Sequence, residues 1–325
     1  MAKLFLVVAI AAMSAAIAPA ATQEWPARPM TMVVPVAAGS LSDTVGRIMA
    51  QRLAELLGQP VIVENGGGAG GMTGAYRVAR AAPDGYQFTI GNAGTHAVNQ
   101  TLYRNPLYNA ATDFAPVALI AELPLVLVVR KDLPANNLQE FMAYTKANQA
   151  KMQYGSAGTG SADHLACVLL DSAMGVNVTH VPYRGGQPAM QDLIAGRIDY
   201  ICNIITTAAP QIQAGLVKAI AVTTKQRSAL LPDLPTAQEQ GLKDFEAYSW
   251  DAIFLPKGTP DAIVRKLNAA TIETMNTPII QQRLKEIGAA VVSPERRSSE
   301  YLAKFVPAEI AKWAGPIKAA GVSEE

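Results

Sequence analysis

Two short stretches of small and hydroxyl-bearing residues have the composition of an anion site. They are residues 37–43, which read AAGSLSD, and residues 156–161, which read SAGTGS. Each lies between a predicted strand and a predicted helix, so the first turn of that helix presents unpaired N–H groups and the positive end of the helix dipole. This arrangement suits a carboxylate or a phosphate, and two such helix ends facing one cleft can hold one anion from both sides.

The elements around the first stretch follow from its residue types. An apolar run at residues 32–36 indicates a strand, and Ser40 with Asp43 three residues later predicts a capped helix. Apolar residues then recur at the spacing of one buried helix face, at Leu41, Val45, Ile48, Met49, Leu53, Leu56 and Leu57. Strands and helices alternate beyond this point, which predicts a mostly parallel α/β sheet with ligand loops at the carboxyl ends of the strands.

The later chain indicates a second, similar α/β series. In the first series, further strands are predicted at residues 61–65 and 86–90. In the later chain, strands are predicted at residues 125–129, 152–155, 198–205, 219–223 and 248–255, and another strand begins at residue 179. A loop and short helix are predicted within residues 233–241, and mainly helices after residue 261. We expect lobe 1 at residues 21–125, lobe 2 at residues 126–247 and a return to lobe 1 at residues 248–325. Two lobes joined by strands form a cleft that can close by a hinge.

The N-terminus predicts export. Lys3 is followed by an apolar run over residues 4–18, and Ala18-Pro19-Ala20 reads as an A-x-A cleavage site, so residues 1–20 are interpreted as a cleaved signal peptide. The chain has 325 residues, of which 50% are hydrophobic and 16% charged, which is typical of a globular protein. Loss of Lys3 leaves 26 basic and 26 acidic side chains, a balance that argues against a nucleic-acid binder.

A serine hydrolase is the catalytic alternative. A nucleophile elbow needs G-x-S-x-G, but Tyr154 stands where the first glycine would precede Ser156. Ser161, Asp163 and His164 crowd one predicted helix start, whereas a triad assembles from distant segments. An exported α/β hydrolase that uses Ser156 or Ser161 stays open as an alternative at this point.

A dinucleotide site is also considered. Residues 66–71 (GGGAGG) satisfy G-x-G-x-x-G after a strand, but the next strand ends in Ile90-Gly91-Asn92, without the acidic residue that holds a ribose. No G-K-S/T phosphate loop occurs in the sequence. We therefore interpret this glycine run as a tight backbone loop and expect no cofactor.

The cysteines and histidines show no metal-ligand spacing. Cys167 falls in a predicted helix and Cys202 in a predicted strand, so two buried free thiols are preferred, while a disulfide stays open. His96, His164 and His180 show no metal-ligand spacing among themselves or with the two cysteines. We expect no metal site.

Taken in order, these segments resemble the Bug (TctC-like) extracytoplasmic solute receptors of tripartite tricarboxylate transporters. Individual motifs are loose, but their order is specific and covers essentially the whole mature chain. The matching stretches, as they stand here, are WP at 25–26, VVP at 33–35, AAG at 37–39 with Asp43, LGQP at 57–60, VEN at 63–65, GAGG at 68–71, PDGY at 83–86, SAGTGS at 156–161, HLA at 164–166, HVPYRG at 180–185, AVT at 221–223, Arg227, LP at 231–232, PT at 235–236 and PKGTP at 256–260.

The resemblance implies a type II periplasmic binding protein, a Venus flytrap of two α/β lobes around a ligand cleft, without catalysis or cofactor. Such a receptor, expected to be a monomer, captures a small organic acid in the periplasm and delivers it to membrane permease subunits. The acid classes considered are di- and tricarboxylates, amino acids and aromatic acids. Carried over residue by residue, the ligand carboxylate is held by Ala38, Gly39, Ser40 and Asp43, by Ser156, Ala157, Gly158, Thr159 and Ser161, and by Thr95 and Tyr183 in flanking loops.

This chain departs from the family pattern in four places. Ser40 stands where a second glycine is usual, and Gly66-Gly67 replace a common Arg-Pro. Asn203 stands where an acidic residue is frequent, and Ala252 replaces a usual glycine. These departures leave the solute undetermined. A receptor that signals to a membrane sensor instead of supplying a permease is a third hypothesis.

Overall fold

The computed structural model describes residues 24–319, 321 and 323. The predicted signal peptide at residues 1–20 lies outside the described residues. Within the described part, no helix has both the length and the apolar character needed to cross a membrane.

Over residues 24–319, the strands join in one curled mixed sheet. Its order is β2-β1-β3-β9-β4-β7-β5-β6, and β8 and β10 also pair with β4. The strands are β1 (Met30–Val34), β2 (Val61–Asn65), β3 (Gln87–Asn92), β4 (Phe114–Arg130), β5 (Gln153–Ser156), β6 (Thr179–Pro182), β7 (Tyr200–Ile204), β8 (Val217–Val222), β9 (Tyr248–Pro256) and β10 (Ala290–Val291).

Helices cover both faces of this sheet. A π-helical turn, Gly94–Val98, directly follows β3. The α-helices are α1 (Leu41–Leu57), α2 (Met72–Ala79), α3 (Asn99–Leu102), α4 (Leu138–Asn148), α5 (Ala162–Met174), α6 (Gly186–Ile194), α7 (Ile205–Gln213), α8 (Asp261–Asn276), α9 (Pro278–Glu286) and α10 (Ser299–Ala319).

Strand β4 runs through both lobes. Its first part pairs with β9 and β10 and its second part with β7 and β8, and the change falls between Pro124, which lies opposite Tyr248, and Leu125, which lies opposite Ile204. We call β1, β2, β3, β9, β10, the first part of β4 and helices α1–α3 and α8–α10 lobe 1. The remaining strands, the second part of β4 and helices α4–α7 are lobe 2.

The strand directions bring the loops of both lobes to one boundary. Strands β1–β3 are mutually parallel, β3 is antiparallel to β9, and β9 is antiparallel to β4, so β1–β3 run with β4 towards lobe 2. Strands β5–β7 are mutually parallel and run against β4, towards lobe 1. The carboxyl ends of both sets therefore face the boundary between the lobes, which is where ligands bind in such sheets.

Helix α10 fixes the returning strand β9 in place. The indole nitrogen of Trp250, which is fully buried, donates to Glu309 at 2.9 Å. The Lys312 ammonium lies 4.8 Å from the ring centre of Tyr248. These contacts hold the hinge strand against the C-terminal helix, because a buried indole N–H needs an acceptor.

Among the segments that differ from the sequence-based prediction are helix α7 and residues 233–241. Helix α7 was not predicted, because its β-branched residues and the internal Pro210 disfavour a helix, yet Ile205 and Ala208 are buried. Residues 233–241 contain turns and no helix. There Glu239 accepts from Thr236 N–H at 2.7 Å and from Arg227, so side-chain bonds hold the segment in place of a helical ladder.

Candidate functional site

The loop between β1 and α1 is shaped by one carboxylate. Ser40 is the N-cap of α1, and its hydroxyl oxygen accepts from Asp43 N–H at 3.3 Å. Oδ2 of Asp43 accepts from Gly39 N–H at 2.8 Å, so the predicted capping box is present but shifted by one residue. Gly39 has φ of +80°, a conformation that glycine adopts without strain.

Asp43 directs its carboxylate into the protein. It is 3% exposed and also accepts from Arg47 Nε at 3.0 Å and Asn65 Nδ2 at 2.9 Å. Burial by itself would raise its pKa, but the hydrogen bonds from Arg47, Gly39 and Asn65 outweigh burial, and the pKa lies below its usual value. Asp43 therefore stays ionised and holds the backbone of Gly39 in position.

The first turn of α1 leaves two amides available. The N–H groups of Leu41 and Ser42 have no hydrogen-bond acceptor among residues 24–319, whereas Thr44 N–H already donates to Ser40 at 3.0 Å. The preceding residues 37–39 are exposed to solvent. An anion at this helix end would meet both free amides and the positive end of the dipole.

The loop between β5 and α5 in lobe 2 also has a serine N-cap and glycines of positive φ. Ser161 is the N-cap of α5 and its hydroxyl accepts from His164 N–H at 3.2 Å. Gly158 and Gly160 have φ of +125° and +75°. The hydroxyl of Ser156 accepts from Gly158 N–H at 3.1 Å, which folds the loop back on the end of β5.

Two stacked histidines support this second loop. His164 and His180 have ring centres 4.0 Å apart at an interplanar angle of 23°, and the ring of Tyr154 stacks on His180 at 4.9 Å. Nδ1 of His164 accepts from Gly160 N–H at 3.1 Å, and Nε2 of His180 lies 2.7 Å from the Ser156 hydroxyl. Each imidazole thus holds one end of residues 156–160.

Both imidazoles are neutral in the folded protein. Burial lowers the pKa of His180 to about 4. Burial, and then repulsion from the protonated form of His180, lower the pKa of His164 to about 3. A neutral Nδ1 can accept from Gly160, whereas a protonated one cannot. No role in this loop was predicted for either histidine from the sequence. His180 reaches it because β6 pairs with β5, which places His180 opposite Tyr154.

The flanking residues Thr95 and Tyr183 turn their hydroxyls towards the protein. Thr95 is fully buried, and its hydroxyl lies 2.9 Å from Nδ1 of His96. The Tyr183 hydroxyl donates to Asp192 at 2.7 Å, while its backbone N–H donates to Ser156 at 3.1 Å. Tyr183 therefore contacts the second loop through its backbone N–H.

The two lobes touch near the start of α5. A cavity of about 20 Å³ is lined by Gly94 and Val98 of lobe 1 and by Gly160 and Leu165 of lobe 2. A Cβ atom on Gly160 would overlap the side chain of Leu102 in α3, so glycine permits this approach. Among residues 24–319, no hydrogen bond joins residues 37–43 to residues 156–161.

Buried acids lie beneath both helix ends. Ser42 donates to Oδ1 of Asp251 at 2.7 Å, and Oδ2 of this fully buried residue has no partner in the described part of the chain. Burial raises the Asp251 pKa to about 7, against the opposing effect of the Ser42 bond.

In lobe 2, Asn203 donates to Asp163 at 2.7 Å. An acidic residue at position 203 would place two carboxyl groups together, so asparagine removes a like-charge contact.

Comparison with known proteins gives a consistent assignment. The model of the tripartite tricarboxylate transporter family receptors, TctC, matches residues 45–322. A protein encoded in the ttuE–ttuC′ intergenic region of Agrobacterium vitis is 43% identical over 93% of this chain and 87% of its own length.

Solved structures show the same architecture. MatC from Rhodopseudomonas palustris, solved with bound malate, is 40% identical, with a TM-score of 0.78 over 90% of this chain and 100% of its own. Rpa4515 from the same species, solved with adipate, is 36% identical, with a TM-score of 0.79 over 92% of this chain and 99% of its own. The predicted two-lobe periplasmic binding-protein fold and the suspected family are both confirmed. The chain belongs to the TctC family of tripartite tricarboxylate transporter receptors.

Proposed function

We propose that this receptor captures a small carboxylated solute between its lobes in the periplasm and delivers it to the permease subunits of a tripartite tricarboxylate transporter. One observation carries the proposal. At the boundary between the lobes, a serine-capped helix end follows a glycine of positive φ in each lobe, at Gly39 with Ser40 and at Gly158 with Ser161.

The matched helix ends suggest how a carboxylate is held. Leu41 and Ser42 begin α1, and Ala162 and Asp163 begin α5, so each helix offers two N–H groups that lie before the first intrahelical bond. Each helix end contributes about 0.3–1 kcal/mol to anion binding, and each charge-assisted hydrogen bond about 1.5–3 kcal/mol. A few such bonds reach micromolar affinity, which corresponds to about −8 kcal/mol.

The proposed solute class is a dicarboxylate. The family is one of receptors for carboxylated solutes, and the two similar structures contain malate and adipate. A second carboxylate on the solute would engage the opposite helix end, so a dicarboxylate bridges the lobes where a monocarboxylate binds only one of them. Asp43, Thr95 and Tyr183 shape the loops in this account, and residues 38–42 and 156–161 contact the solute.

The test is a thermal-shift and calorimetric screen of residues 21–325. Malate, adipate, citrate, aspartate and benzoate are compared with their uncharged amides or alcohols. A dicarboxylate at 100 times its dissociation constant should add about 2.7 kcal/mol to the free energy of unfolding. Absence of saturable binding by every carboxylate would refute the proposal. Uptake by cells that carry or lack the permease genes then tests delivery.

We further propose that the exported chain is a monomer with lobe boundaries near residues 125 and 247. The change in strand pairing at Pro124 and the start of β9 at Tyr248 support these boundaries. Limited proteolysis and light scattering of the periplasmic fraction test the boundaries and the monomer, and N-terminal mass spectrometry of that fraction tests removal of residues 1–20.

A further inference from the structure

A cavity of about 840 Å³ lies at the hinge, and neither ligand loop lines it. Lobe 1 contributes residues 288–293 around β10, with parts of α9 and α10, and lobe 2 contributes residues 224–230 and Glu246. The lobes are in contact at its wall, since a Cβ atom on Gly288 would lie 2.7 Å from the side chain of Leu230. Its volume is within the range of small-molecule sites.

The lining of the hinge cavity has an excess of positive charge. Its cationic side chains outnumber the two acids, Glu122 and Glu246. Each acid is already paired, Glu122 with Arg296 and Glu246 with Lys225 at 3.5 Å. The cationic lining residues are Lys225, Arg227, Lys285, Arg296 and Arg297.

Two of these cations lack a carboxylate partner. Arg297 is only 6% exposed, donates to the Val292 carbonyl at 2.8 Å and to Asn276 at 2.7 Å, and forms no ion pair with the described residues. The ammonium group of Lys285, in the last turn of α9, forms neither an ion pair nor a hydrogen bond within residues 24–319. A buried guanidinium without a counter-charge is unfavourable, so an external anion would stabilise it.

One wall of the same cavity is aromatic. The rings of Tyr301 and Phe305 stack with their centres 5.8 Å apart, and the guanidinium of Arg296 lies 5.5 Å from the centre of the Tyr301 ring. Tyr301 and Phe305 line the cavity beside Arg296 and Arg297. A flat apolar group can pack on this wall while its charge meets the cations.

We propose that the hinge cavity is a second ligand site, for a small organic anion whose carboxylate or phosphate meets Lys285 and Arg297 and whose planar body lies against Tyr301 and Phe305. The site is separate from the solute loops. The four named contacts belong to lobe 1, and residues 224–230 of lobe 2 also line the cavity, so a ligand that fills it lies between the lobes. Because the walls belong to different lobes, occupancy favours the lobe arrangement that brings them together.

The test uses benzoate and phenyl phosphate as probes, with benzyl alcohol as the uncharged control, titrated calorimetrically into residues 21–325 at fixed ionic strength. Lys285→Met removes one cation from an exposed position, so the fold is retained. Lys146→Met is the matched control, because Lys146 is also an exposed lysine in the last turn of a helix without an ion pair among the described residues. Both variants are also made with Gly158→Val, which obstructs the solute loop.

We expect saturable binding of at least one anionic probe, no binding of benzyl alcohol, and binding about tenfold weaker in Lys285→Met than in Lys146→Met. The same ratio is expected in the Gly158→Val background. The proposal is overturned if neither anion saturates, if the two lysine variants bind equally, or if Gly158→Val abolishes probe binding, since the probes would then occupy the solute cleft.

Discussion

The hydroxyl of Ser156 lies 2.7 Å from Nε2 of His180 at the base of the lobe 2 loop. This is the contact of a serine nucleophile with its base, yet Ser156 is fully buried and burial lowers the His180 pKa to about 4. No carboxylate contacts His180 in the described part of the chain, so the orienting group of a triad is missing there. The pair instead serves to hold the backbone of the loop.

Ser156→Ala separates the receptor from the hydrolase hypothesis. The alanine cannot accept from Gly158 N–H, so we expect solute affinity to fall about tenfold and the free energy of unfolding to fall by about 1–2 kcal/mol. Calorimetry and urea denaturation measure both quantities, with Ser172→Ala on the exposed side of α5 as control. The parent should not turn over p-nitrophenyl esters. Turnover that disappears in Ser156→Ala would instead establish a hydrolase.

Gly39→Ala tests the lobe 1 loop against a matched glycine. Gly39 and Gly258 are both exposed, have φ of +80° and +83°, and would place a Cβ atom in open space. Each alanine should therefore cost about 1 kcal/mol of stability through backbone strain. Only Gly39→Ala should also weaken binding, because only Gly39 is part of the proposed site. Equal affinities in the two variants would argue against this loop as a ligand contact.

Two substitutions of His164 test whether its hydrogen bond from Gly160 N–H supports solute binding. His164→Leu removes the acceptor of Gly160 N–H, so we expect weaker solute binding and a lower melting temperature. His164→Asn places an oxygen near the position of Nδ1 and should recover part of the affinity. Binding isotherms and melting curves of both variants decide the matter. If Asn and Leu weaken binding to the same extent, the hydrogen bond to Gly160 has no part in shaping the loop.

The raised pKa of Asp251 predicts that the free energy of unfolding depends on pH. Its pKa rises from 3.8 to about 7 on folding, so the folded protein binds the proton more tightly between these pH values. The stability that Asp251 contributes is complete below about pH 4 and is lost as the pH rises through 7. As the pH rises from 5 to 8, Asp251→Asn should therefore become more stable relative to the parent, by an amount on the order of 1–3 kcal/mol.

Urea denaturation at both pH values measures this gain. Any constant cost of the asparagine cancels in the difference between pH 5 and pH 8. Asp233→Asn, at an exposed position, is the control for the substitution itself. A parallel pH profile for Asp251→Asn and the parent would contradict a buried, protonated Asp251.

The parts of the fold that could be predicted are those with local signals. The cap at Ser40 and the apolar face of α1 follow from adjacent residues, and the structure has both of them. The last two residues of β3, Gly91 and Asn92, are held in the sheet by pairing with β9. That partner lies about 160 residues later, and no local pattern reveals it.

The supporting residues of the site escaped prediction for the same reason. His180 reaches Ser156 only because β6 pairs with β5, and Asp251 reaches Ser42 only because β9 returns to lobe 1. The hinge cavity likewise combines Lys285 with residues 224–230, which are distant in sequence. Spacing along the chain identifies the loops, whereas strand pairing determines what lies beneath them.

The return of β9 also sets the order in which the two sheets can be completed. In lobe 1, β9 lies between β3 and β4, so that sheet has a gap until residues 248–256 have joined it. Every strand of lobe 2 comes from residues 125–222, so that sheet can form first. Since contacts between distant residues form slowly, we expect the sheet of lobe 2 to form before the sheet of lobe 1 is complete.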